Sequence, residues 1–352
     1  MADVLLSELT NSDIDWLAEA GQQKRLPKGT TFSNVEGGDK NDFYLVLDGR
    51  LSVHALDASG ARSQHALNAV MDPGEIIGVA ALFDMPLPRL AFQAIEDTIL
   101  LAVPIHMLRM KLNGDLAFAA NFYRAVDLIL SLRVEHLIEQ PEKLRFQSDQ
   151  SERDVLNAFS EFRDSDLNWL VQAGQVERYR TDDFLLKAGR PTDSLYIILD
   201  GVFSVALPEN KINPLALCFE CPIENASKMS VVTTITKGEI AGAMAFLDAR
   251  PLPVTIRATR DSLVLSVSRS KFNLHIQQDL GFATRFYRIL GPQLLALSLI
   301  AMELQGVGAK STAQASDELE FEGELDLDAL QRMSSGANRF NWMLHHLGVS
   351  VS

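Results

Sequence analysis

Along FYLVLDGRLSVHAL, Phe43 to Leu56, apolar and polar positions alternate around a central Asp-Gly pair. Period-two alternation marks a half-buried strand. Similar short runs follow or precede it: TTFSNVEGG, RSQHALNAVMDPGEIIG and FQAIEDTILLAVP, each punctuated by Gly or Pro. Turn signals this closely spaced predict an all-β sandwich or barrel rather than a parallel sheet. The period changes on either side. Ile14, Leu17 and Ala18 recur at helical spacing behind Ser12, a candidate N-cap, which predicts a helix from Asp13 to Gly21. A helix pair is predicted over Ile105 to Leu112 and from Asp115 to about Gln140.

The same pattern occurs twice. DLAFAANFYR starts at Asp115 and DLGFATRFYR at Asp279, 164 positions on, with seven of ten residues identical. NDFYLVLDG (from Asn41) answers DSLYIILDG (from Asp193) at an offset of 152, and NSDIDWLAEAGQ (from Asn11) answers DSDLNWLVQAGQ (from Asp164) at 153. DPGEIIGVAALFD (from Asp72) answers TKGEIAGAMAFLD (from Thr236) at 164, so the second copy carries 12 extra residues between these blocks. Conserved order with one expanded loop is the signature of a duplicated domain. The expected organisation is a first domain over 1–140, a linker over 141–152, a second domain over 153–305, a flexible acidic linker over 306–325 and a C-terminal amphipathic helix over 326–352.

Composition adds little beyond this. A chain of 352 residues, 47% hydrophobic and 22% charged, is ordinary globular material for two or three domains. LLALSLIAM, Leu294 to Met302, is far shorter than the roughly 20 apolar residues that span a bilayer. The N-terminal MADVLLSELTNSD has no basic segment ahead of an apolar core, so no secretory signal is expected. Two cysteines suit a reducing compartment, and a cytoplasmic location is expected.

The order of parts, with YLVLDG, then PGEIIGVAAL, then PLPRLAF, resembles the cyclic-nucleotide-binding domain of the cAMP-receptor type, in two tandem copies without a DNA-binding domain. The resemblance covers residues 5–140 and 153–304. It implies a mainly β chain with flanking helices: two tandem eight-stranded β-rolls of jelly-roll type, plus the C-terminal helix. Gly49, Gly74 and Gly78, with Gly201, Gly238 and Gly242, form the matching glycine framework. A cupin-like roll is the alternative, but its His/Glu metal ligands have no counterpart in these strands.

The resemblance further implies a phosphate-binding cassette, in which a short helix and an Arg take the phosphate and a Glu takes the ribose hydroxyl. Gly78, Val79 and Ala80, followed by Arg89, Leu90 and Ala91, occupy it in copy one. Arg89 falls on the phosphate arginine and Val79 on the ribose glutamate. In copy two, Gly242, Ala243 and Met244 are followed by Pro253 and Val254, with Pro253 at the arginine position, so this pocket is expected to be degenerate. Arg257, four residues on, stands where alternation leaves open that it faces the pocket. For Arg89, a solvated surface residue and a structural ion pair are alternatives to phosphate contact. A charge-assisted hydrogen bond contributes about 1.5–3 kcal/mol. Loss of the Glu alone therefore weakens binding about ten- to a hundredfold.

Other chemistry is sparse. Cys218 and Cys221 form CFEC inside the expanded stretch of copy two, which reads as a small apolar hairpin strand or as a redox pair or half of a zinc site. The histidines are scattered, and no catalytic set, P-loop or metal site emerges, so the protein is expected to be neither an enzyme nor a metalloprotein. A net charge of −14 and an acidic stretch after the second domain argue against DNA binding. The resemblance to a kinase regulatory subunit would require a basic inhibitor segment, but the roughly ten residues before the first predicted helix hold no Arg or Lys.

The helices point to association. Leu294, Leu295, Leu297, Leu299 and Ile300 leave the last helix of copy two almost without a polar face, and Gly291-Pro292 marks a start or a kink. Either the two copies bury it between them or a second chain does, and a homodimer or an intramolecular pseudo-dimer is expected. In the tail, Leu327, Leu330, Phe340, Leu344 and Leu347 make one apolar stripe, which packs on its own domains or docks onto a partner. The expected function is a bacterial, non-enzymatic regulatory adaptor that senses a cyclic nucleotide in domain 1 only, with no other cofactor; the alternative is a ligand-free scaffold or assembly subunit.

Overall fold

A computed structural model describes residues 2–33, 42–56, 69–83, 85, 89–138, 159–208, 229–248, 254–304 and 327–349. The chain divides into two compact units: Met1–Val134 with Gly291–Phe321, and Glu135–Leu290 with Glu322–Ser352.

Unit 1 opens with α1 (Ala2–Glu8) and α2 (Asn11–Ala20). Eight strands follow: β1 (Gln22–Leu26), β2 (Thr31–Ser33), β3 (Asp42–Asp48), β4 (Leu51–Ala55), β5 (Ala69–Met71), β6 (Ile76–Ile77), β7 (Leu90–Ala94) and β8 (Thr98–Pro104). The short α3 (Val79–Leu82) separates β6 from β7, and α4 (Ile105–Gly114) and α5 (Leu116–Ile138) close the unit. The strands form two antiparallel four-stranded sheets, β1-β8-β3-β6 and β2-β7-β4-β5. In β3, Phe43 and Val46 are both 1% exposed although they lie on opposite faces, with Phe43 against Phe122 of α5, so both faces of the strand are covered there. Gly49, between β3 and β4, has φ +80, and a Cβ there would strike Asp97 and Thr98, so the turn requires glycine.

Unit 2 repeats this plan. It contains α6 (Asp164–Ala173), β9 (Gln175–Tyr179), β10 (Phe184–Leu186), β11 (Ser194–Asp200), β12 (Val202–Pro208), β13 (Met229–Thr236), β14 (Ile240–Ala241), α7 (Ala243–Asp248), β15 (Thr255–Ala258), β16 (Ser262–Ser268), α8 (Arg269–Gln278) and α9 (Leu280–Leu304). Its sheets, β14-β11-β16-β9 and β10-β15-β12-β13, have the strand order of unit 1 shifted by eight. The unit boundaries fall inside α5 and α9. The tail forms α10 (Leu327–His346).

The repeated decapeptide is explained residue by residue. Asp115 Oδ1 accepts from the Phe118 backbone N–H at 3.0 Å, and Asp279 Oδ1 accepts from Phe282 N–H at 2.8 Å, so each aspartate caps its closing helix. Phe118 meets Trp16 edge-on at 5.4 Å, and Phe282 meets Trp169 likewise at 5.2 Å. Arg124 pairs with Glu8, and Arg288 pairs with Glu161 at 3.4 Å, tying the closing helix to the segment just ahead of α2 in unit 1 and of α6 in unit 2.

Two sequence expectations change. The N-cap of α2 is Thr10, in a capping box with Asp13, rather than Ser12, because Asp13 also accepts from the Thr10 backbone N–H. The helix α9 does not start at Gly291-Pro292 but runs through Pro292. Gly291 instead gives room: a Cβ there would overlap the Phe83 ring, which belongs to the same unit. Leu294 and Leu295 are already 2% and 5% exposed in the single chain.

Candidate functional site

The cassette of unit 1 is built from the turn after β6. Gly78 holds φ +88 as the N-cap of α3, and a Cβ there would come within 2.7 Å of the Asp42 carbonyl, so the entry to α3 is left-handed and closely packed. Val79 and Ala80 are buried at 3% and 6% exposure. Arg89 is exposed, and its carbonyl accepts from Leu56 N–H at 2.9 Å at the start of β7. Leu90 is half-buried, and Ala91 is buried in register with His54. Thus Gly78, Val79, Ala80 and Arg89 bracket the connection from β6 to β7, with an apolar short helix on one side and a guanidinium on the other.

Two arginines, unnoticed as site elements in the sequence, tie this cassette to the closing helices. Glu75, immediately before β6 and 4% exposed, accepts from Arg133 Nε of α5 at 2.9 Å. Nη2 of Arg133 also reaches Glu75 and donates to the Ile76 carbonyl at 3.1 Å. The pair is nearly dry, with side chains 11% and 6% exposed, where Coulomb attraction is weakly screened. From α4, Arg109 donates to the Ala81 carbonyl at the end of α3. Arg133 was visible in the sequence as a charge in an apolar helix, but its partner lies 58 positions away.

In unit 2, Gly242 keeps the left-handed conformation at φ +86 and leads into α7. Ala243 is 9% exposed, Met244 half-buried and Val254 9% exposed, while Pro253 lies outside the described residues. Arg257 faces away from the core: Ile256 and Ala258 point inward at 4% and 1% exposure, and Arg257 pairs with Asp182 at 2.7 Å beside the Phe184 ring. Its orientation excludes it as a cassette substitute. Glu239, the counterpart of Glu75, accepts from Thr236 N–H and Oγ1, and burial holds its carboxyl above the usual range. Leu297 stands where the 164 offset would place Arg133's counterpart. The second copy thus carries no arginine at the position of the Arg133 link. Its own tie to the short helix runs from Arg269 of α8 to the Phe246 carbonyl at 3.2 Å.

Among the described residues, no group of three or more His, Cys, Asp or Glu side chains could hold a metal ion, and no helix is long and apolar enough to cross a membrane. Cys218 and Cys221 lie outside the described residues.

The family model of the cyclic nucleotide-binding domain matches residues 23–115 and 176–279, more than half of the chain and once per unit. The chain belongs to this family. Two tandem β-rich domains of this fold, with flanking helices and a C-terminal helix, bear out the fold class expected from the sequence. Lysophospholipase nte1 of Aspergillus fumigatus is 25% identical over 190 residues, which are 52% of this chain and 11% of that protein; the chain therefore spans about a tenth of that relative's length. Among solved structures, the regulatory domain of Toxoplasma gondii protein kinase A with cAMP is 15% identical, at a TM-score of 0.27 over 90% of this chain and 93% of that one. The c-di-GMP responsive regulator CLP of Xanthomonas campestris is 18% identical, at a TM-score of 0.33 over 46% and 66%.

Proposed function

We propose that the protein is a non-catalytic regulatory adaptor in which unit 1 reads a cyclic nucleotide through its phosphate and unit 2 is a silent copy of the fold. The observation that supports it most is the Glu75–Arg133 pair, because it connects the strand entering the cassette to the closing helix in the first copy, while Leu297 stands at the matching position of the second copy. An anion held at Arg89 would favour one position of α3 and, through Glu75, one position of α5; only such a difference in affinity between two states shifts an equilibrium. With Val79 at the ribose position, the grip is on phosphate alone. Recognition is correspondingly weaker than in a receptor that retains the acid.

A ligand-free platform is the second reading, favoured by the burial of Val79 and Ala80 and the solvent exposure of Arg89. Calorimetric titration with cAMP, cGMP and c-di-GMP separates the two. The adaptor reading predicts one site per chain, weakened at least about tenfold by Arg89→Ala. No heat with any of the three ligands leaves the platform, and binding unaffected by Arg89→Ala places the site elsewhere.

A further inference from the structure

In unit 2, the opening segment and α6 are covered by α10. Phe340 of α10 meets Phe159 edge-on at 4.7 Å, and both are 1% exposed. Arg339 beside it donates to the Ser160 carbonyl at 2.6 Å and pairs with Asp164 at 3.5 Å. Leu167 is fully buried and Val171, one turn on, is half-buried.

The offset of 153 carries this surface onto unit 1: Phe159 onto Leu6, Ser160 onto Ser7, Glu161 onto Glu8, Leu167 onto Ile14 and Val171 onto Ala18. The matching Glu8–Arg124 and Glu161–Arg288 ion pairs fix this correspondence. In unit 1 the same positions are open. Leu6 is 58% exposed, Ile14 is half-buried and Ala18 is exposed. The residues beneath, Leu9 and Leu17, are buried at 6% each, so the surface is intact rather than unfolded. Exposed carboxylates at Asp15 and Glu19 border the ridge of Ile14 and Ala18.

We infer that Leu6, Ile14 and Ala18 form a docking surface for a basic amphipathic helix of a partner protein. That helix would carry an aromatic anchor beside an arginine, as α10 does. The repeat shows which kind of element covers this surface, and the acidic border selects its charge. Stoichiometry decides against a second copy as occupant. Each chain contributes two such surfaces and, among the described residues, one α10, which already covers the surface of unit 2.

The inference deepens the adaptor reading by naming a partner class for unit 1. Nucleotide binding is read at Arg89 and helix docking at Leu6, so either can fail while the other stands. The probe is a labelled peptide of residues 327–349, the sequence of α10, added to the full chain. Saturable binding of one peptide per chain is expected, weakened at least about tenfold by Leu6→Asp and by Ala18→Arg, and lost when the peptide carries Phe340→Ala. Both protein substitutions lie at exposed positions, and thermal melting checks that each variant is folded. Failure of the peptide to bind the wild-type chain overturns the inference. So does binding that Leu6→Asp and Ala18→Arg leave unchanged, since the peptide is then displacing α10 from unit 2. A wild-type dimer in sedimentation that Leu6→Asp dissociates also overturns it, because a second copy then fills the surface.

Discussion

Asp127 lies within α5 at 0% exposure, and among the described residues neither carboxylate oxygen meets a hydrogen-bond partner. Burial holds the carboxyl well above the ordinary aspartate range, so folding favours its neutral form. The sign of the pH dependence follows. Between the unfolded and folded pKa values the native state binds more protons, so stability is fully present below the unfolded value and falls as the pH rises above it. Asp127→Ala is expected to raise stability by about 1–2 kcal/mol at neutral pH, by removing an unsatisfied buried group. Near pH 4 the gain should be smaller. Urea denaturation at several pH values checks both, and a variant less stable than the wild type at neutral pH would show that Asp127 has a compensating partner.

At the scale of elements, the link between cassette and closing helix is the feature that distinguishes the two units. Arg133→Ala leaves Glu75 buried without its counter-ion, a change that costs about 3–5 kcal/mol. The double variant Glu75→Gln, Arg133→Met should recover much of that loss, since it removes the charge as well as its partner. Chemical denaturation of the single and double variants measures the difference; a single variant as stable as the wild type would mean that the pair carries no load. Elements with alternating faces were readable in the sequence, β3 with β4 and β7 with β8 above all. The strand β1 was not. QQKRL pairs with β8 along its length, yet its side chains are exposed or half-exposed throughout, so no apolar period marks it. The Glu75–Arg133 pair was hidden for another reason: Arg133 interrupts the apolar run of α5, but only the fold brings it to Glu75.

For the molecule as a whole, duplication was the most legible feature, because the identities in the repeated decapeptide are caps, core aromatics and ion-pair partners that the fold needs twice. Divergence between the copies was legible in the 12 extra residues of the second copy and where it changed cassette residues, as at Arg89 and Pro253. The covering of Phe159 by α10, and the open counterpart at Leu6, required three dimensions. The central claim is that, among the described residues, only the first copy joins the strand entering its cassette to its long closing helix through an arginine. Hydrogen exchange of the full chain, with and without the cyclic nucleotide that calorimetry selects, tests it most directly. Altered protection in α3 and along α5, with α7 and α8 unchanged, is the predicted result. Protection that changes in α7 and α8, or that changes in neither unit while the nucleotide is bound, would contradict the account.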